Sequence, residues 1–141
     1  MPHSALAAFP VVVVQDVAWG HMDSFGHVNN VVFFHYFENA RVELLTRVGW
    51  FALKESAGMG PIVASASAKF RKPLSYPDRI HIGARITEIL SDRVTVEQVI
   101  VSERWNAIAA EGPTVVVNYD YRAGAKAALP MALEGAIRAL A

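Results

Sequence analysis

The chain has 141 residues with 13 basic and 13 acidic side chains, so its formal net charge is zero. Apolar residues make up 53% and charged residues 18%, which excludes a disordered chain, and the neutral balance gives no electrostatic footprint for nucleic acid. The absence of cysteine removes disulfides, thiolate metal sites and cysteine nucleophiles.

The length suits one domain with a real core, expected to span residues 1–141. The opening Met-Pro-His-Ser-Ala-Leu has no basic segment followed by a sustained apolar run, so no signal peptide is expected. Apolar runs such as residues 11–14 are too short to span a bilayer. A cytoplasmic protein without a membrane partner is the expectation.

Residues 10–17 read as a strand, because Val11, Val12, Val13 and Val14 are β-branched and stiff at χ1. A Gly-containing loop follows at 20–27. Asn29 or Asn30 then caps a helix that runs to about Val48. Phe33, Phe37, Ala40, Leu44 and Val48 recur at spacings of four, three, four and four, which is one helical face. Phe34 and Leu45 widen that face, and Gly49 is placed to end the helix.

Beyond Gly58 and Gly60 the period changes. Residues 62–70 read as a strand. Pro77-Asp78 marks a turn, and in 79–86 Ile80, Ile82, Ala84 and Ile86 alternate with Arg79, His81, Gly83 and Arg85, as in a half-buried strand. Residues 94–104 are again β-rich. A last strand spans 107–121, with Gly112-Pro113 predicting a bulge or break inside it. The stretch 123–128 reads as a surface loop, and Pro130 opens a short C-terminal helix. One long helix followed by strands on short turns predicts an α+β fold, with an antiparallel sheet curling around that helix.

The run Trp19-Gly-His-Met-Asp-Ser-Phe-Gly-His-Val-Asn-Asn30 carries the chemistry. It sets one carboxylate, Asp23, in a turn directly before a helix start. A helix start offers unpaired N–H groups and the positive end of the helix dipole. A carboxylate beside such donors can activate attack on a carbonyl and hold the oxyanion that forms. The plainer alternative is an Asp that only bonds turn amides. His21, His27 and His35 lie six and eight residues apart, which fits no short metal-ligand motif, so no metal site is expected. Glu38 and Arg41 are three apart and read as a helix-surface ion pair, with Glu38 the reserve carboxylate.

The string, with Phe33-Phe34-His35-Tyr36-Phe37-Glu38-Asn39-Ala40-Arg41 after it, resembles the hotdog-fold acyl-CoA thioesterases of the 4-hydroxybenzoyl-CoA thioesterase type. Lys69-Phe70-Arg71-Lys72-Pro73-Leu74 and Tyr76-Pro77-Asp78-Arg79-Ile80 resemble the family's next strands. The resemblance implies a sheet of about five strands wrapped round a central helix, edge-to-edge dimers or tetramers, and hydrolysis of acyl-CoA without a further cofactor. It maps the catalytic carboxylate onto Asp23 and the carbonyl-polarising N–H onto Asn30 or Val31. Relatives often carry an acidic residue two positions before that carboxylate, where this chain has His21.

Substrate contacts are expected from His27, Asn29 and Phe33, with Lys69, Arg71 and Lys72 holding the coenzyme A phosphates. Phe34, Phe37 and Trp50 read as core. Two other functions fit the same fold: a hydroxyacyl dehydratase working through a histidine and a carboxylate, and a non-catalytic acyl-CoA binder.

Overall fold

The computed structural model describes residues 3–141; Met1 and Pro2, which begin the expected domain and the opening segment, lie outside the described residues. Strand β1 (Val11–Asp16) leads through a short 3-10 turn (Trp19–His21) and a loop into helix α1 (Asn30–Arg47). Helix α2 (Leu53–Ala57) follows, then β2 (Met59–Ala66), β3 (Lys69–Phe70), β4 (Arg79–Ile89), β5 (Arg93–Ser102), β6 (Ala107–Asp120), β7 (Ala125–Lys126) and helix α3 (Met131–Leu140). Five long strands form an antiparallel sheet in the order β1-β4-β5-β6-β2, and β3 and β7 each add two residues beside β6. The sheet curls round α1, the hotdog arrangement that the sequence predicts.

The long helix forms where its apolar spacing and its cap agree. The Asn29 side chain accepts the Val31 N–H at the start. At the other end Gly49 takes the left-handed conformation, φ 80°, and the Trp50 N–H returns to the Leu45 carbonyl. Phe33, Phe37, Ala40, Leu44 and Val48 are all buried against the sheet. Trp50 is fully buried, and its indole N–H donates to Asn118 Oδ1 on β6 at 3.0 Å. Ile80, Ile82, Ala84 and Ile86 face the same core, as their alternation predicts.

Three details differ from the sequence reading. The strand expected over 62–70 is two strands, and β2 pairs with β6 instead of with its chain neighbour β4. The segment between β3 and β4 is no tight turn: Leu74 is fully buried, and its carbonyl accepts the Val28 N–H at 2.7 Å. That anchor carries the chain across the end of the sheet, so a hairpin never forms. Second, the irregularity expected at Gly112-Pro113 lies in the partner strand. β6 continues through Gly112-Pro113, its own register shift against β5 falling at Ala109, and the edge gives way opposite Gly112-Pro113, between β2 and β3. Third, the expected surface loop at 123–128 holds β7, paired with Tyr119 and Asp120.

No helix among the described residues is long and apolar enough to cross a membrane.

Candidate active site

The loop before α1 closes on itself. Met22 and Val28 form an antiparallel bridge, the Asp23 N–H donates to the His27 carbonyl at 2.8 Å, and the Gly26 N–H donates to the Asp23 carbonyl at 3.1 Å. Gly26 sits at φ 77°, a conformation open to glycine at little cost. From outside the loop, Ser75 Oγ donates to the Gly26 carbonyl. This places the Asp23 side chain at the rim of a cleft of about 390 Å³, lined by Asp23, His27, Val28, Asn30, Phe33, Phe70, Arg71, Lys72 and Pro73.

Asp23 Oδ1 accepts the Phe25 N–H at 2.8 Å, so the turn-forming role expected of any such Asp is present. That bond occupies one carboxylate oxygen only. The other makes no hydrogen bond among the described residues. At the helix start the Val31 N–H is taken by Asn29 Oδ1 at 3.0 Å and the Val32 N–H by the Asn29 carbonyl at 2.9 Å. The Asn30 N–H meets no acceptor among the described residues, and Asn30 lines the cleft. Of the two expected donors, one is engaged by the cap and one is open.

The remaining expected residues divide in the same way. His27, Phe33, Arg71 and Lys72 join Asp23 and Asn30 in the cleft. Asn29 serves as the cap. Lys69 lies elsewhere, in a neighbouring hollow with Glu97 and Glu111. Phe70, unassigned from sequence, forms a wall: its ring meets Phe33 edge to face at 5.1 Å and is 48% exposed. Arg71 pairs with Glu111 at 2.9 Å, whereas the Lys72 ammonium rests 5.1 Å from the Trp105 ring centre. The cleft thus has a polar end at the loop, an apolar wall and two cations at its mouth.

Glu38 is outside this cleft. It stands 3.9 Å from Arg41, the pair that the spacing predicts, but the arginine is not on the surface. Arg41 is 9% exposed and donates inward to Gln98 Oε1 and Thr114 Oγ1. Burial holds its pKa below the ordinary guanidinium value, and Glu38 opposes that shift. Gln98 in turn donates to the Gly112 carbonyl at 2.8 Å, beside the break in the edge strand. His21 does not line the cleft, and its Nδ1 meets the Tyr36 hydroxyl at 2.8 Å. Nothing in the spacing of residues 21 and 36 marks that contact, since one lies in the loop and the other on the buried face of α1.

The sequence profile of the Thioesterase-like superfamily matches residues 17–137. Among solved structures, a thioesterase from Thermus thermophilus complexed with coenzyme A and Zn is 31% identical, with a TM-score of 0.82 over 95% of this chain and 96% of that one. The long-chain acyl-CoA thioesterase FadM of Escherichia coli (strain K12) is 25% identical over 118 residues, 84% of this chain and 86% of FadM. The 1,4-dihydroxy-2-naphthoyl-CoA thioesterase from Synechocystis shares the fold at 20% identity, with a TM-score of 0.80 over 91% of this chain and 95% of that one. Among the described residues no three His, Cys, Asp or Glu side chains converge as a metal-binding group.

Proposed function

The chain belongs to the thioesterase-like superfamily and is a thioester hydrolase, and we propose that it cleaves acyl-CoA esters to a free acid and coenzyme A. One observation carries this reading: a carboxylate with an open oxygen, Asp23, and an open backbone donor, the Asn30 N–H, line the same accessible cleft at a helix start.

In this reading the thioester carbonyl oxygen lies on the Asn30 N–H. Water attacks the carbonyl carbon and gives its proton to Asp23, and the C–S bond breaks. The departing thiolate then takes the proton. The helix-start donor is fixed before charge develops and needs no reorganisation, and one such donor is worth about 3–4 kcal/mol of transition-state stabilisation. In the alternative route the same carboxylate attacks the carbon itself, the C–S bond breaks with loss of the coenzyme A thiolate, and water then hydrolyses the mixed anhydride to the free acid and Asp23. Label found in Asp23 after a single turnover in ¹⁸O water identifies the anhydride route, with water attacking the Asp23 carboxyl carbon of the anhydride. Phe33 and Phe70 flank the acyl group, His27 borders the reacting end, and Arg71 and Lys72 face the phosphates.

A second copy of the chain completes the apolar side of the cleft in this proposal. Edge strand β2 carries Ile62 at 41% and Val63 at 48% exposure, an apolar edge of the kind that proteins pair or cover. Sedimentation showing a dimer or tetramer supports it, and a monomer at micromolar concentration refutes it.

The functional test is thiol release across short, long and aromatic acyl-CoA esters, with the free acid identified by mass. Turnover of at least one class is expected. Binding of the esters without release of thiol from any of them overturns the hydrolase reading.

A further inference from the structure

His21 occupies the loop two residues before Asp23, yet its bonds run to the helix. Its Nδ1 is 2.8 Å from the Tyr36 hydroxyl, and the Ala18 N–H approaches the same nitrogen at 3.4 Å. Its own N–H donates to the Ala18 carbonyl at 3.0 Å, and its carbonyl accepts the Asn29 N–H at 3.1 Å. The two rings meet edge-on with centres 5.6 Å apart.

The direction of the contact follows from burial. Tyr36 is 1% exposed, and burial pushes its phenol up to about 12, so it keeps its proton and donates. A buried hydroxyl without an acceptor is costly. The imidazole meets that need with Nδ1 as acceptor, which leaves its proton on Nε2.

One residue is therefore connected to both halves of the proposed site. Asp23 follows it by two positions. Asn29, which precedes the open Asn30 donor, hangs from its carbonyl. Tyr36 lies on the buried face of α1, well inside the helix, so the tie reaches a rigid part of the scaffold and not its end. Every residue from Asp23 to Gly26 is exposed, and among the described residues the loop's other hydrogen bonds from outside come from one segment: the Leu74 carbonyl, Ser75 and the Tyr76 N–H that meets Met22 Sδ at 3.5 Å.

We propose that His21 and Tyr36 form a positioning pair, whose hydrogen bond fixes the span between the Asp23 carboxylate and the Asn30 N–H. The claim rests on the catalytic reading of those two groups. Neither His21 nor Tyr36 touches the substrate. Misplacing a reacting group by about 1 Å can cost on the order of a hundredfold in rate, so the pair acts on kcat.

The test uses the full-length protein and four variants. Tyr36→Phe removes only the hydroxyl and keeps the ring against Phe33. His21→Phe keeps an aromatic ring and removes the acceptor. His21→Asn places an amide oxygen near the position of Nδ1. The fourth variant combines Tyr36→Phe with His21→Phe. The two single losses lower kcat about ten- to a hundredfold with KM within about twofold. His21→Asn restores most of the rate, and the double variant is no slower than the slower single. Amide hydrogen exchange over residues 21–30 of the ligand-free protein gives a readout independent of turnover. It speeds up in Tyr36→Phe and returns towards the parent rate in His21→Asn. Unchanged exchange, or kcat losses that multiply in the double variant, overturns the pair. Asp23→Asn runs beside them. Normal kcat in Asp23→Asn overturns the catalytic reading itself, whereas an inactive Asp23→Asn with normal kcat in Tyr36→Phe and His21→Phe overturns the pair alone.

Discussion

The Asn29 side-chain oxygen and the Val31 amide share a hydrogen bond of 3.0 Å, so the cap of α1 is made one residue past the amide that opens on the cleft. Asn29→Ala removes the cap and costs about 1 kcal/mol of stability, read by urea unfolding. The backbone bond from Asn29 to His21 survives the change, so kcat falls by less than about tenfold, the rate worth of roughly 1.4 kcal/mol. A loss of turnover as deep as that of Asp23→Asn would place Asn29 or the Val31 amide in the chemistry directly.

Asp23→Asn keeps an oxygen for the Phe25 N–H at nearly the same place, so the loop retains its turn. What it loses is the charge that accepts a proton or attacks a carbon. The expected result is a fall in kcat of about 10²- to 10⁴-fold with little change in melting temperature or KM. A variant that unfolds and loses activity together would make Asp23 a turn residue only.

How much of this was legible in the sequence depends on how local each feature is. Ile80 to Ile86 alternate because one face of β4 is buried, and α1 shows its face because Phe33, Phe37, Ala40 and Leu44 all meet one sheet. Asp23 and Asn30 meet in one cleft because a short loop joins them. The partner of β2 was not legible, because three strands, β3, β4 and β5, intervene in the chain. Lys69 and Arg71 would share a side in a regular strand, yet only Arg71 reaches the cleft, because β3 stops at Phe70 and the chain turns away. Arg41 read as a surface residue from its spacing to Glu38. Gln98 and Thr114, which draw it inward, come from distant strands.

Gly112 is the residue that lets the edge strand break. A Cβ there would overlap the Ser67 carbonyl oxygen and lie 2.8 Å from its carbon, both backbone atoms that cannot yield cheaply. Gly112→Ala forces the β2–β3 junction off β6 and moves Phe70, which leaves that junction as part of β3. A stability loss of about 1–3 kcal/mol, in the range of overpacked cores, is expected in urea. KM rises with it for esters that lean on the Phe33–Phe70 wall. Parent-like stability would mean that the junction shifts freely and does not hold the wall in place.

Alkaline stability follows from Tyr36. Its pKa is about 12 in the fold against 10.0 for an ordinary tyrosine, because burial disfavours the phenolate. Folding therefore favours the protonated form. The contribution is whole below about pH 10 and is lost as pH rises to 12, a change of roughly 2–3 kcal/mol for two pKa units. In Tyr36→Phe that part of the decline disappears. Urea midpoints taken at pH 9 to 12 for both proteins check it, and parallel declines would show that Tyr36 is not the group responsible.

The two cations at the cleft mouth are not equivalent. Arg71 is committed to Glu111 at 2.9 Å, whereas Lys72 lies against the Trp105 ring and pairs with no acid among the described residues. The indole is itself fixed, its N–H donating to the Pro73 carbonyl at 2.7 Å. An ammonium held over a ring keeps its charge available to a phosphate. Lys72→Ala raises KM for an acyl-CoA about three- to tenfold at 50 mM salt and leaves kcat unchanged, while Arg71→Ala does less. The difference shrinks as salt approaches 1 M, where the screening length falls to about 3 Å. Lys69→Ala, in the hollow with Glu97 and Glu111, leaves KM at the parent value. A KM effect in Lys69→Ala equal to that in Lys72→Ala would mean that the coenzyme crosses both hollows. A salt-independent effect in Lys72→Ala would mean that the lysine acts by packing on Trp105 and not by its charge.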